Sequence, residues 1–305
     1  MTRPSDSTSK RILVTGHHGF TGNYVVKALQ VKGHQVLGLS ANPADLDSAR
    51  IELFDRSAVA RAVALAQPDA VVHLAAIAFV AHGDADEMYR TNIVGTRHLL
   101  EALASLDRRP DAVLLASSAN VYGNSDIELL DESVPPSPVN DYAVSKLAME
   151  HMARLWMDRL PITIARPFNY TGVGQSENFL LPKIVSHFRC SATVIELGNI
   201  DVARDFQDVR FVADAYTRLL SVGAAGETVN LSSGVSVSLT EVIRMMERIA
   251  GYSIEVRVNP AFVRGNEVAR LTGNNAKLTR LIGPLDIISL ENTLRWMYEH
   301  DSRHS

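Results

Sequence analysis

A chain of 305 residues with 46% hydrophobic and 21% charged side chains is long enough to bury a large core, and its composition is that of an ordinary globular protein. Its net charge of −4 offers a polyanion such as nucleic acid no general hold, and the single cysteine, Cys190, excludes an intramolecular disulfide and fits a reducing cytoplasm. The longest apolar stretch, Ala70 to Ala81, is broken by His73 and too short to cross a bilayer, so the expectation is a soluble cytoplasmic protein with no membrane partner.

Residues 1–10 are polar and read as a disordered lead-in rather than a signal peptide. Arg11-Ile-Leu-Val-Thr15 reads as a strand, followed by Gly16-His-His-Gly19-Phe-Thr-Gly22. Tyr24, Val25, Ala28 and Leu29 then mark an amphipathic helix that stops near Gly33. A glycine turn between strand and helix sets backbone N–H groups and the positive end of the helix dipole against a pyrophosphate. Gly16, Gly19, Phe20, Thr21 and Gly22 are therefore expected to bind a dinucleotide. A second strand runs from Gln35 to Leu39. An acid just beyond it would accept from a ribose 2′-hydroxyl and select NAD. The chain has Ser40-Ala41-Asn42 instead, with no carboxylate before Asp45 and no arginine beside it. Ser40 is thus placed at the ribose, and NADP is favoured, with NAD the alternative.

Ile51 to Asp55 reads as a third short strand, Ser57 to Ala66 as a helix and Ala70 to Leu74 as a strand. Asp55 either contacts the adenine amino group or caps the following helix. His73-Leu74-Ala75-Ala76 ends that strand in small residues, which let backbone approach a cofactor closely. Thr91-Asn92-Ile-Val-Gly95-Thr begins a helix that continues to Leu106. Strands and helices alternating at about 25–35-residue spacing are the pattern of a doubly wound parallel sheet in an α/β protein.

Ala112 to Ala116 looks like a buried strand that empties into Ser117 and Ser118. After a Pro-rich loop, Asp141 starts a helix with Tyr142 and Lys146 one turn apart. An ammonium so placed favours phenolate, so the tyrosine pKa is expected to fall and Tyr142 to act as a proton donor or acceptor. Ser118 would hydrogen-bond the same substrate oxygen. The catalytic set expected is Ser118, Tyr142 and Lys146, with no metal.

Gly16-x-x-Gly19-Phe-x-Gly22, His73-Leu-Ala-Ala, Asn92-x-x-Gly-Thr, Ser117-Ser118-x-x-Val-Tyr122-Gly and Tyr142-x-x-x-Lys146 together resemble the extended short-chain dehydrogenase/reductases. Those are Rossmann-fold enzymes acting on nucleotide sugars, and the resemblance covers essentially residues 11–300. It implies a dinucleotide-binding domain over 11–166, to which 209–232 returns, and a smaller, mainly nucleotide-sugar-binding domain over 167–305. It also implies that Leu74, Ala75, Ala76, Asn92, Tyr142 and Lys146 line the cofactor.

Beyond the strand Ile162 to Arg166, the series Arg166-Pro-Phe-Asn169, Glu177-Asn178-Phe179, Lys183 and Arg204-Asp-Phe-Gln-Asp208 resembles the GDP-mannose 4,6-dehydratase and GDP-4-keto-6-deoxy-mannose reductase branch. The resemblance implies that Asn169, Asn178, Lys183 and Arg204 line the nucleotide-sugar cleft. By chemistry alone Lys183 and Arg204 are cations that a diphosphate needs, and the bland reading of each is a surface charge. Asn169 reads equally as a turn residue after Pro167. Val209 to Leu220 and Thr240 to Ala250 read as helices, and Glu227 to Leu231 as a strand. Arg264 and Glu267 match nucleoside-binding positions, although Gly265 replaces a proline there and Asn274 an aspartate.

In the 4,6-dehydratases a glutamate two residues beyond the serine position removes the C5 proton. Here Asn120 stands in that place, a substrate-binding amide that cannot act as such a base. The expectation is an NAD(P)-dependent reductase of the C4 ketone of a nucleoside-diphospho-4-keto-6-deoxyhexose, yielding GDP-rhamnose or GDP-6-deoxytalose for cell-surface polysaccharide. The alternatives are a 4-epimerase retaining NAD, the GDP-mannose 4,6-dehydratase that Asn120 disfavours, and a catalytically silent NADP-sensing module, which would be expected to have lost the triad. The helices 92–106 and 141–158 carry more apolar residues than one stripe about 100° wide holds, which implies a homodimer through them.

Overall fold

The computed structural model describes residues 9–40, 42–47, 50–78, 84–262 and 268–300. β1 (Arg11–Thr15) leads through the glycine turn into α1 (Phe20–Val31), whose Gly22, Val25, Val26 and Leu29 form one buried helical stripe. β2 (Gln35–Gly38), α2 (Arg56–Ala66) and β3 (Ala70–His73) follow. Next come α3 (Ala85–Tyr89), a π-helical turn over Arg90–Gly95, α4 (Thr96–Ala104) and β4 (Ala112–Ala116).

Two expectations for this half are corrected. The strand over 51–55 does not form. A single antiparallel bridge joins Ser40 and Arg50, Leu53 turns into the core, and Asp55 caps α2 by accepting from Ala58 N at 2.9 Å. A carboxylate folded back on its own helix ends the extended chain. The helix expected from Thr91 begins earlier, at Ala85, where Asp84 accepts from Glu87 N at 2.9 Å. Its π turn brings the Asn92 amide onto Ile77, accepting from Ile77 N at 2.9 Å and donating to Ile77 O at 3.1 Å.

The later elements are α5 (Asp141–Arg154), β5 (Ile162–Pro167), β6 (Asn169–Thr171), α6 (Leu180–Arg189), β7 (Val194–Leu197), β8 (Ala203–Arg204) and β9 (Phe206–Asp208). After these come α7 (Val209–Val222), β10 (Thr228–Leu231), β11 (Val237–Ser238), α8 (Leu239–Ala250), β12 (Glu255–Val258), β13 (Arg270–Leu271), α9 (Ala276–Ile282) and α10 (Leu290–Glu299). The main sheet has six strands in the order β10-β5-β4-β3-β1-β2, and β2-β1-β3-β4 pair in parallel. Strand order reverses between β1 and β3, so this is a Rossmann-type α/β sheet with its switch point at the ends of those strands, Thr15 and His73. No helix among the described residues is long and apolar enough to cross a membrane.

The chain divides into two compact units. One runs up to Ala116 and adds Ala148–Ile164 and Tyr216–Glu227. The other comprises Ser117–Leu147, Ala165–Ala215 and the chain from Thr228 onward. The first has a core of fully buried aliphatics, among them Leu13, Val63, Leu99, Leu100, Met149 and Ile162. In the second, α6, α8 and α10 contribute Ile184, Phe188, Val242, Met246 and Leu294.

The surplus apolar surface expected on the two long helices is smaller than the sequence suggests. Leu100 and Met149 lie in the first core, at 0% and 1% exposure, because each helix buries a stripe wider than a single packing face requires. Val94, Val144 and Leu155 are the large apolar side chains of these segments that remain exposed. Truncating Leu100 to Ala should cost about 2–5 kcal/mol by cavity formation, and denaturant unfolding would measure it. A cost below about 1 kcal/mol would contradict this packing.

Candidate active site

In the first unit the glycine turn is built for close backbone approach. Gly16 has φ +69°, and a Cβ there would meet Ala75 N at 2.9 Å, while a Cβ on Gly22 would collide with Gly16 O. Gly19 is the N-cap of α1, without a side-chain cap bond and with no acidic residue in the first turn. A positive helix end lined by glycine and free of carboxylates fits a pyrophosphate.

The neighbouring strand end is pinned from both sides. Thr15 Oγ1 lies 2.7 Å from His73 Nδ1, His73 Nε2 lies 2.8 Å from Thr96 Oγ1, and Thr96 donates to Asn92 O at 2.8 Å. A ring carrying its proton on Nε2 satisfies this chain, leaving Thr15 to accept from Ala75 N at 3.2 Å. Leu74, Ala75 and Ala76, all half-buried, therefore run between two anchors, Thr15 on Ala75 and Asn92 on Ile77. Asn92 acts here on the backbone beside the small residues.

Ser40 is fully buried and donates its hydroxyl to Asn42 O at 2.9 Å, so the side chain is turned into its own loop. Asp55 is committed to capping α2.

The second unit holds the residues of the expected triad. Ser118 stands at the start of a 3₁₀ turn over Ala119–Tyr122, accepting from Asn120 N at 3.2 Å. Tyr142 and Lys146 lie one turn apart on α5, which begins where Asn140 accepts from Ala143 N at 2.9 Å. All three are buried, at 6%, 8% and 5% exposure. Ser118 and Tyr142 are hydrogen-bonded to each other, and Tyr170 of β6 is near enough for its charge to act on Tyr142.

The expected depression of the tyrosine pKa is overturned. Burial pushes the Tyr142 phenol well above the ordinary tyrosine range, and the Ser118 bond offsets only part of that. Helical spacing places an ammonium nearby but does not reveal the loss of water around the ring. Tyr142 is a neutral phenol here, poised to give a proton.

The sequence did not signal what holds the Ser118 turn. Tyr122, fully buried, donates to Asn230 Oδ1 at 2.7 Å and accepts from Arg166 Nη1 at 3.0 Å, with the guanidinium 4.9 Å from its ring centroid. Asn230 in turn donates from its backbone to Glu132 at 2.7 Å and from its amide to Leu130 O at 3.0 Å. Burial raises the Tyr122 pKa, with Arg166 pulling the other way. Tyr122 and Arg166 belonged to quoted motifs, but the pairing is long-range and no local spacing encodes it.

The residues expected to meet the sugar nucleotide also lie in the second unit. Asn120 sits half-buried in the Ser118 turn, Asn169 starts β6, and Asn178 is exposed just before α6. Lys183 donates to Glu196 O at 2.8 Å and lies 4.6 Å above the Phe262 ring, partners that satisfy the ammonium without cancelling its charge. Arg204 Nη1 donates to Ala203 O and Ala269 O, both at 3.0 Å. Arg264 and Glu267 lie outside the described residues. Among the described residues no group of three or more His, Cys, Asp or Glu is gathered as a metal ion would need.

Comparison with known proteins identifies the family. The model of the NAD dependent epimerase/dehydratase family matches residues 12–232. A GDP-6-deoxy-D-talose 4-dehydrogenase of Aggregatibacter actinomycetemcomitans is 35% identical over 90% of this chain and 91% of its own. A GDP-6-deoxy-D-mannose reductase of Pseudomonas aeruginosa is 34% identical over 94% and 95%. Among solved structures, a Burkholderia cenocepacia J2315 protein is 53% identical with TM-score 0.88, covering 97% of this chain and 98% of its own. RMD from Pseudomonas aeruginosa, complexed with NADPH, is 31% identical with TM-score 0.85, covering 95% and 98%. The chain belongs to the NAD dependent epimerase/dehydratase family and is an NAD(P)-dependent oxidoreductase.

Proposed function

We propose that the chain reduces the C4 ketone of a nucleoside-diphospho-4-keto-6-deoxyhexose, GDP-4-keto-6-deoxy-D-mannose in the first instance, with NADPH. The observation that carries this reading is the buried, hydrogen-bonded Ser118–Tyr142 pair, with Lys146 one turn away and an amide at Asn120. Such a set moves one proton at one oxygen and holds no carboxylate at Asn120 to take a second from C5. Two relatives support the sugar: their names carry GDP-6-deoxyhexoses that differ only in configuration at C4.

A nicotinamide dinucleotide, when bound, supplies the hydride. The glycine turn and the pinned strand end would hold it through Gly16, Gly19, Gly22 and Ala75. In reduction the carbonyl π bond of C4 breaks, a C–H bond forms there, and Tyr142 gives its proton to O4. Ser118 orients the ketone through a second hydrogen bond, which binds the developing alkoxide more strongly than the ketone. Lys146 would hold the nicotinamide ribose and stabilise the tyrosinate left behind. Asn169, Asn178, Lys183, Arg204, Arg264 and Glu267 would receive the nucleoside diphosphate. The second unit would thereby hold the sugar nucleotide, and the first the pyrophosphate of the dinucleotide. A homodimer through the exposed apolar residues of the 92–106 and 141–158 segments completes the proposal.

The decisive assay follows NADPH oxidation with GDP-, dTDP- and UDP-4-keto-6-deoxyhexoses, the product being identified by NMR. Stoichiometric oxidation with the GDP sugar and a C4 alcohol product is expected. A protein that purifies with dinucleotide bound and interconverts C4 epimers without consuming NADPH is an epimerase instead.

Tyr142→Phe removes the transferable proton and should lower turnover by about 10²–10⁴-fold with little change in NADPH affinity. Because burial raises this phenol, kcat/KM for reduction should hold its plateau to at least the ordinary tyrosine pKa of about 10. An alkaline limb below about pH 8 would show that the phenol is not kept neutral.

For the dimer, light scattering at micromolar concentration should give twice the chain mass. Val144→Arg with Leu155→Arg should reduce it, since an isologous interface normally buries more than about 1,000 Å² and tolerates no unpaired charge at its centre. A wild-type chain that is a fully active monomer rules the dimer out.

A further inference from the structure

The loop that joins the Ser118 turn to the helix of Tyr142 is fastened at its middle by Asn230 of β10, a side chain with no exposed surface. Asn230 Oδ1 accepts from the Tyr122 hydroxyl at 2.7 Å, and its Nδ2 donates to Leu130 O at 3.0 Å. Its backbone N donates to Glu132 Oε1 at 2.7 Å. The amide can face only one way. The Tyr122 oxygen accepts from Arg166 Nη1, which leaves its own O–H for an acceptor, and Leu130 O can only accept.

The two arms of this amide lead to the two groups that share the proton. Tyr122 ends the 3₁₀ turn that Ser118 begins. Leu130 and Glu132 stand in the loop that runs on to Asn140, where α5 and Tyr142 start. Turn and loop also meet directly. Leu130 and Val134 share a buried cluster with Val121, Tyr122 and Phe168, and Ser137 N donates to Val121 O at 2.9 Å. Gly123 lies so close to Ser137 O that a Cβ there would collide with it. The buried Arg166 and the half-buried Glu132 are both near enough for their charges to act on Tyr122. None of Tyr122, Arg166, Asn230 or Glu132 takes part in the proton transfer itself.

Ser118 and Tyr142 are hydrogen-bonded, yet one comes from the end of β4 and the other from α5. Their separation is set by whatever holds turn and loop together, and a misplacement of about 1 Å can cost on the order of 10²-fold in rate. We propose that Asn230 is a positioning residue: by fastening the Ser118 turn and the loop into α5 to one amide, it keeps Ser118 within hydrogen-bonding distance of Tyr142. Tyr122 carries the turn's arm, and Leu130 with Glu132 the loop's. The kinetic consequence rests on the proposed ketone reduction, whereas the Ser118–Tyr142 separation can be measured without it.

The test pairs crystal structures with kinetics on the full chain. Asn230→Ser removes both side-chain bonds, Tyr122→Phe the turn's alone, and Glu132→Ala the loop's acceptor. In Asn230→Ser the distance from Ser118 Oγ to Tyr142 Oη should exceed the hydrogen-bonding limit of about 3.5 Å, and an unchanged distance overturns the inference. If that variant does not fold, the distance is read in Tyr122→Phe, which keeps the ring in place. With NADPH and the GDP-4-keto-6-deoxyhexose, Asn230→Ser and Tyr122→Phe should lower kcat by about tenfold or more, with KM and NADPH affinity within about threefold. Made on top of Ser118→Ala, Tyr122→Phe should cost less than about twofold further, because the group it positions is gone. An equal loss in both backgrounds would mean support of the fold alone and would overturn the inference. Glu132→Gln keeps an acceptor for the Asn230 backbone and should recover most of what Glu132→Ala loses; no recovery would assign the effect to charge, against the inference. A wild-type chain that reduces no ketone ends the proposed function, and the measured separations still decide the positioning.

Discussion

A phenol taken out of water must find its hydrogen bonds within the protein. Tyr142 finds Ser118, and much of the second unit can be understood from that dependence. Ser118 has to be delivered at a definite place, so β4 stops at Ala116 and the chain enters a 3₁₀ turn whose first amide bonds are made to Ser118 itself. The far end of that turn is Tyr122, held by a buried arginine and a buried asparagine from two strands of the main sheet. The tyrosine's own helix starts where Asn140 satisfies an orphan amide. Withdrawal of water from one ring thus accounts for a strand end, a turn, a clamp and a cap.

The same burial sets the direction of proton flow. An exposed tyrosine with a lysine one turn away would share its proton with solvent. A buried one keeps it until a partner with developing negative charge arrives. Asn120, in the turn that carries Ser118, adds an amide and no acid, so it offers no carboxylate to compete with the phenol for the proton.

Much of this was legible in the sequence where the physics is local. The glycine turn is legible because φ near +69° at Gly16 and the crowding at Gly22 exclude side chains. The alternation of β1 through β4 with their helices is legible because buried parallel strands are short apolar runs. Burial and long-range pairing are not written locally. The direction of the Tyr142 shift depends on how much water the fold removes, and spacing from Lys146 is silent about that. Leu100 and Met149 look like spare apolar residues until α4 and α5 are packed. The 51–55 segment has a strand's composition, but Asp55 prefers to cap α2. The Tyr122–Arg166–Asn230 clamp joins three distant stretches, and the approach of Arg50 to Ser40 needs a chain reversal that composition does not announce.

The π turn at Arg90–Gly95 has a consequence for which changes in chain length this region can accept. A π turn is an α-helix carrying one surplus residue, and in an α-helix each residue advances the face by about 100°. Within the turn, Asn92 must point at Ile77; beyond it, Leu99, Leu100 and Leu103 must point into the core. Deleting one residue would give a more regular helix whose two working faces are out of phase by roughly a quarter-turn. Helical regularity and function are therefore opposed at this point: the shorter, better-bonded helix could satisfy the asparagine or the leucines, but not both.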